Sequence, residues 1–430
     1  MTDDRVRIDL ADERRASKGR HPASRGPLLA KGRHPSTRGV RRPVPGDTQA
    51  RPASKRKKKA PAVSTSYVVL LAIVVVLDII GLVMVLSASS VEALRNHGSA
   101  WQFFAKQVMW LAAGSTVMVV VMRIDYRRWR KLAAPLFLGS AFLLLLVLVP
   151  GVGINVSGST RWLGTGSWRM QPSELAKLGV LLFCADLLAR RSGKMGDWRM
   201  TLLPPLAAFG LIGMLVMLQP DMGTTLVTGC IVLAVLWVAG TRLSSMTTLL
   251  GITALGAFIV GWAEPYRRAR MLSFIDPWKD AGNTGYQAAQ GLVALGSGGW
   301  FGVGLGASRA KWGFLPNAHT DFIFAIIGEE LGLVGALLVV GLFVAFAALG
   351  VRSAVRAPDR FGTLLAAGIT AWIVGQAFIN IGAVIGLVPI TGVPLPFVSF
   401  GGSALVITMA AVGMLLNVAR QARPVTPPTS

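Results

Sequence analysis

The stretch PNAHTDFIFAIIGEELG, residues 316–332, sets Asp321 at the mouth of an apolar run and Glu329 and Glu330 inside it. A carboxylate at such a mouth can take a proton from a substrate hydroxyl. Thr320 or Asp321 is also expected to cap the helix that begins there. Glu329, eight residues on, lies about 12 Å further along a helix. Carboxylates at that depth need protonation, a partner or a wet cavity.

Three other stretches carry polar groups that simple apolar helices do not need. In GSTRWLGTGSWRMQPSELAKLGV, 158–180, Pro172 suits a helix start and Ser173 a cap. Glu174 and Lys177 share a helix face at i, i+3 and are expected to pair. In QPDMGTT, 219–225, Asp221 reads as a turn residue and helix cap. YRRAR, 266–270, gathers Arg267, Arg268 and Arg270, which suit a phosphate-bearing lipid. The following glycine-rich segment has no GK[ST], which argues against a nucleotide loop. In GLVPITGVPLPFVSFGGSAL, 386–405, three prolines forbid a regular helix, and we read the segment as the re-entrant wall of a cavity.

The elements that must hold these groups are membrane helices. The chain has 430 residues, 53% hydrophobic and 15% charged, a membrane composition. Ten apolar runs are near the length that crosses a bilayer: 67–88, 103–122, 132–150, 174–189, 202–218, 223–239, 246–263, 321–349, 362–385 and 403–419. Only helices satisfy their backbone over such runs in lipid, so an all-α polytopic fold is expected. Basic segments follow the second, fourth, sixth and eighth runs. The positive-inside rule then puts both termini in the cytoplasm and the loop of about 264–320, between spans seven and eight, outside.

Half of the net charge of +24 lies in residues 1–62, a Pro-, Ser- and Arg-rich tail containing KGRHPASRG and KGRHPSTRG. It is expected to be a disordered cytoplasmic anchor that touches anionic membrane lipid rather than nucleic acid. Residues 421–430 form a second cytoplasmic tail, and 63–420 the membrane domain. Cys184 and Cys230 both lie in apolar runs and read as small buried hydrophobes.

RWLGTGSWRMQPSELAKL, QPDMGT, GYQAAQGLVALGSGGWFGVGLG, LPNAHTDFIFAIIGEELGLVG and PITGVPLPFVSFGGSAL, in that order over about residues 67–420, resemble the SEDS (shape, elongation, division and sporulation) family. The wording is closer to its division branch than to its elongation branch. The resemblance implies a peptidoglycan glycosyltransferase at the outer face of the cytoplasmic membrane, at the division septum. Its substrate would be lipid II, and its partners a class B penicillin-binding protein and other division proteins. The family's essential aspartate falls on Asp321, its functional pair on Glu174 and Lys177, and a basic position on Arg161. Gln287 and His319 are further candidates for substrate contact or a supporting role, His319 as a group that orients Asp321 or touches substrate. A divalent cation such as Mg or Mn is an open expectation. The rival expectations are a lipid II flippase and a non-catalytic division scaffold.

Overall fold

The structure is a computed structural model that describes residues 65–422, apart from 157–158, 166–167, 195–196 and most positions between 243 and 273. The basic tail, most of the predicted seventh span, Arg267 and Arg270 therefore lie outside the described residues.

The apolar runs fold as helices because each backbone N–H finds its partner within the run. They are α1 (Thr65–His97), α2 (Gln102–Arg123), α3 (Ala133–Leu148), α4 (Pro172–Arg190), the short turn α5 (Trp198–Thr201), α6 (Leu203–Met217) and α7 (Met222–Ala239). α8 (Tyr286–Ser297), α9 (Ile323–Val355), α10 (Arg360–Val384) and α11 (Gly402–Gln421) follow. Among the described residues, seven helices are long and apolar enough to cross a membrane; α6 is apolar but shorter. Large apolar side chains such as Leu138, Phe142, Trp237, Leu337 and Phe378 stand exposed on the helices. That outward-apolar surface suits lipid as solvent.

α4, α10 and α11 are the inner helices: α4 packs on α3, α7 and α10, and α11 on α2. Trp372, Phe361 and Leu181 are fully buried there. The all-α expectation needs one amendment. Between α3 and α4 the chain forms a three-stranded antiparallel sheet, β1 (Ile154–Val156), β2 (Ser159–Thr165) and β3 (Trp168–Met170). Leu163 pairs with Met170, and Thr165 with Trp168. The connection is rich in Gly and Ser, which are poor helix formers, and hairpin pairing satisfies its backbone instead.

α9 is also not the continuous helix its apolar run suggests. Gly332 has φ 68° and ψ −167°, which breaks it into two segments. The loop after α8 fills the break. Val303 and Gly304 donate to the Glu329 and Glu330 carbonyls, while Leu333 and Val334 donate to the Gly299 and Trp300 carbonyls. Exchange with the loop replaces the hydrogen bonds the helix loses.

Candidate active site

Residues 386–401 between α10 and α11 are non-helical, as the prolines require. Val393, Leu395, Phe397 and Val398 are nonetheless buried. Irregular backbone in such a place needs polar partners, and side chains supply them. Gln376 donates to the Pro394 carbonyl at 2.9 Å. Asn380 donates to the Val393 carbonyl and to the Asp321 carbonyl, both at 2.7 Å. Ser399 donates to the Thr320 carbonyl and accepts from the Leu395 N–H. The predicted cavity wall is thus pinned both to α10 and to the start of α9.

Asp321 stands at the edge of this wall, partly exposed. Thr320 donates to its Oδ1 at 3.1 Å. A Cβ on Gly392 would lie 3.8 Å from Asp321 Oδ2, and Gly392 has φ +72°, so a glycine keeps both the turn and the space beside the carboxylate. The expected capping role does not hold. α9 begins at Ile323 with Phe322 as its N-cap residue and no side-chain cap. Asp321 sits one residue too early, and the turn at Asn317–Phe322 takes up the backbone there. His319 is not open to a substrate either. It is buried, with ring centroids 4.8 Å from Phe103 and 5.8 Å from Phe400. Its Nδ1 lies 3.2 Å from the Glu92 carboxylate, off the angle of a hydrogen bond.

Arg161 projects from β2. Its Nε donates to the Gln219 carbonyl and to Ser159 Oγ, each at 2.9 Å, and its Nη2 donates to the Pro220 carbonyl. Its Nη1 is 3.9 Å from Asp221, and a quarter of the side chain (26%) remains exposed. Asp221 caps α7, as read from the sequence, by accepting from the Thr224 N–H at 3.1 Å. Gln171 donates to its other oxygen at 3.0 Å. A Cβ on Gly223 would meet the Thr391 carbonyl at 2.9 Å, so the start of α7 lies directly on the wall.

Glu174 and Lys177 do pair, at 2.9 Å, with side-chain exposures of only 3% and 1%. Ser173 is not the cap of α4: Gln171 holds that position without a side-chain bond. Lys177 Nζ also donates to Gln376 Oε1 at 2.8 Å and lies 4.9 Å from the Trp372 ring centroid. Since Gln376 holds Pro394, the buried pair reaches the wall through one side chain. Arg161, Glu174, Lys177 and Asp321, far apart in sequence, thus converge on residues 391–394.

The other candidates are dispersed. Gln287 on α8 donates to the Pro316 carbonyl at 3.2 Å. It lines a mostly apolar cavity of about 310 Å³ with Leu292, Val384 and Ile390, next to the wall. Arg268 is exposed. Glu329 accepts from Ser308 Oγ and from the Arg309 N–H. Glu330 accepts from Ser87, and Lys311 Nζ lies 3.4 Å away. These two acids therefore fasten the loop into the break in α9. Cys184 is buried as expected, whereas Cys230 is exposed on α7, because an apolar run in a bundle has a lipid-facing side.

The sequence reading missed Gln171, Gln376, Asn380 and Ser399. Gln376 and Asn380 did carry a signal: they are spaced i, i+4 in an otherwise apolar helix, where unpaired amides are costly. No group of three His, Cys, Asp or Glu side chains able to hold a metal ion occurs among the described residues.

The chain matches the profile of the FtsW/RodA/SpoVE family, described as "Cell cycle protein", over residues 67–424. It is 44% identical over 356 residues to "Probable peptidoglycan glycosyltransferase FtsW" of Mycobacterium tuberculosis, covering 83% of this chain and 68% of that one. It is 42% identical over 357 residues to "Stage V sporulation protein E" of Bacillus subtilis, covering 82% and 97%. Among solved structures it resembles a chain of a peptidoglycan synthase complex that coordinates polymerization and crosslinking (TM-score 0.69, 28% identity, 84% and 99% covered). It also resembles the rod shape determining protein RodA of Thermus thermophilus (TM-score 0.61, 28% identity, 83% and 97% covered).

Proposed function

Because the chain belongs to the FtsW/RodA/SpoVE family of cell cycle proteins, we propose that it is a peptidoglycan glycosyltransferase that polymerises lipid II at the outer face of the cytoplasmic membrane during septal wall synthesis. A ten-span topology with both termini cytoplasmic goes with this reading. It puts Arg161, the wall and Asp321 together on the outer side. A class B penicillin-binding protein supplies the crosslinking step, in keeping with the polymerising and crosslinking complex that this fold resembles.

The observation that carries the reading is the position of Asp321: a partly exposed carboxylate whose main chain is tied to a buried, irregular wall by Asn380. In the proposed step Asp321 takes the proton of the acceptor sugar's 4-hydroxyl. That oxygen attacks the anomeric carbon of the donor. The bond to the lipid pyrophosphate breaks and its electron pair leaves with the phosphate oxygen. One displacement inverts an α-linked donor to a β-linked product. The leaving group is already stable as an anion, so it needs cations rather than an acid. Arg161, with 26% of its side chain exposed and its guanidinium beside Asp221 at the start of α7, is assigned this role. Lys177 is buried and committed to Glu174 and Gln376, which supports a positioning role instead. Mg or Mn bridging the substrate's pyrophosphate and one carboxylate would supply the same stabilisation, since such a cation needs no group of three protein ligands.

Polymerisation of lipid II by the purified full chain, with and without its partner, tests the proposal. Glycan strands made by the wild-type chain and not by Asp321→Asn support it. Strands made equally by a folded Asp321→Asn variant would remove Asp321 as the base. Transbilayer movement of lipid II without polymer would replace the enzyme reading with a flippase.

A further inference from the structure

A second cavity, of about 330 Å³, lies between the start of α3 and the end of α4. The two helices pack side by side and are joined by the hairpin that carries Arg161. The cavity is therefore at the opposite end of the bundle from Arg161 and the wall, and the transfer reaction makes no use of it. Four cations line it: Arg130, Lys131, Arg190 and Arg191.

The single carboxylate in the lining cannot balance them. Asp186, with 12% of its side chain exposed, accepts from Arg130 Nε at 2.8 Å and pairs with Arg190 Nη2 at 2.7 Å. Arg191 is anchored by the Met200 carbonyl, and Lys131 is exposed. The rest of the lining is apolar, chiefly Phe183 and Leu187. From Ala134 in the lining, an exposed apolar stripe continues at i+4 spacing through Leu138 and Phe142, both 63% exposed. A charged mouth thus opens onto a lipid-facing helix face.

We propose that this cavity binds the phosphate-bearing headgroup of an anionic phospholipid, with an acyl chain laid along Phe183, Leu187 and the α3 stripe. Basic pockets between membrane helices recognise such headgroups by charge. The volume falls in the range of small-ligand sites. A free phosphate would satisfy the cations but would leave the apolar stripe without a partner. The start of α3 adds a favourable helix N-terminus, and the end of α4 offsets it.

The test is titration of the purified full chain in maltoside detergent with phosphatidylglycerol, phosphatidylcholine and inorganic phosphate, with bound ligand counted by native mass spectrometry. We expect saturable phosphatidylglycerol binding that phosphatidylcholine does not match. Each cation near an anionic headgroup contributes about 5-fold, so Lys131→Gln/Arg191→Gln should weaken it by about 25-fold. Should the double variant misfold, Lys131→Gln alone, at an exposed position, should weaken it by about 5-fold. Equal binding of the two lipids, or unchanged phosphatidylglycerol affinity in a folded variant, would overturn the proposal. Displacement of the lipid by inorganic phosphate at equal concentration would overturn the lipid assignment in favour of a soluble phosphate.

Discussion

Asp321→Asn keeps the size of the side chain and removes its basicity. Loss of a general base lowers a rate by about 10²- to 10⁴-fold. Lipid II polymerisation should fall by that much while thermal stability stays near wild type, since Asp321 caps no helix. Glu174 and Lys177 behave differently because both are buried. Breaking a buried pair on one side costs about 3–5 kcal/mol. Lys177→Met alone should therefore be strongly destabilised. Glu174→Gln/Lys177→Met should recover part of that stability, yet stay slow in polymerisation because Gln376 loses its lysine donor. Thermal melting beside polymerisation rates separates the two effects; equal melting of single and double variants would contradict it.

The break in α9 is a property of the element rather than of one side chain. Gly332 has a positive φ, and a Cβ there would collide with the backbone of Trp300, Phe301 and Gly302. Gly332→Ala should cost about 1–3 kcal/mol in strain alone and release the 299–304 strap. Limited proteolysis should then cut between residues 299 and 311 in the variant well before the wild type. The wall depends on its neighbours in the same way. Asn380→Ala leaves the Asp321 and Val393 carbonyls without their amide donor. Each buried group left unsatisfied costs about 1–3 kcal/mol. Polymerisation should drop although no substrate contact is removed, and a full-rate Asn380→Ala variant would show that the wall's position is immaterial.

At the scale of the whole molecule, the end away from Asp321 is held by polar contacts between distant segments. Asp359 caps α10 through the Gly362 N–H and accepts from Tyr126 and from Arg127. Burial alone would raise its carboxyl; these three hydrogen bonds overturn that and hold it below the usual carboxylate range. A folded-state value below the unfolded value of about 3.9 gives stability that is fully present above the unfolded value. It is lost as pH falls through the folded value. The wild type should therefore melt above Asp359→Asn at pH 5–8, and the gap should close below about pH 4. A gap independent of pH would assign the effect to capping geometry rather than charge.

Much of the plan was legible in the amino-acid order. Apolar run length placed the described helices, since backbone hydrogen bonding in lipid leaves few alternatives. Among them, however, the run at 174–189 became α4, which, like the shorter α6, is not one of the seven long and apolar enough to cross a membrane. Helical spacing alone paired Glu174 with Lys177, and prolines marked the irregular wall. The separation in depth of Asp321 from Glu329 and Glu330 followed from helical rise, but their partners did not. Ser308, Lys311 and Ser87 come from a loop and from α1, so only folding could bring them to those acids. The same holds for Gln376 and Asn380, which looked like stray amides until the wall lay against them. Capping at Asp321 failed by one residue, because the preceding turn, fixed by tertiary contacts with Ser399 and Phe400, sets where α9 starts. Local sequence thus determined which segments are helical and which side chains share a face, through short-range periodicity and backbone satisfaction. Tertiary structure decided which buried polar groups meet beyond one helical turn, because those contacts join separate segments, from Asn380 with Val393 to Ser87 with Glu330.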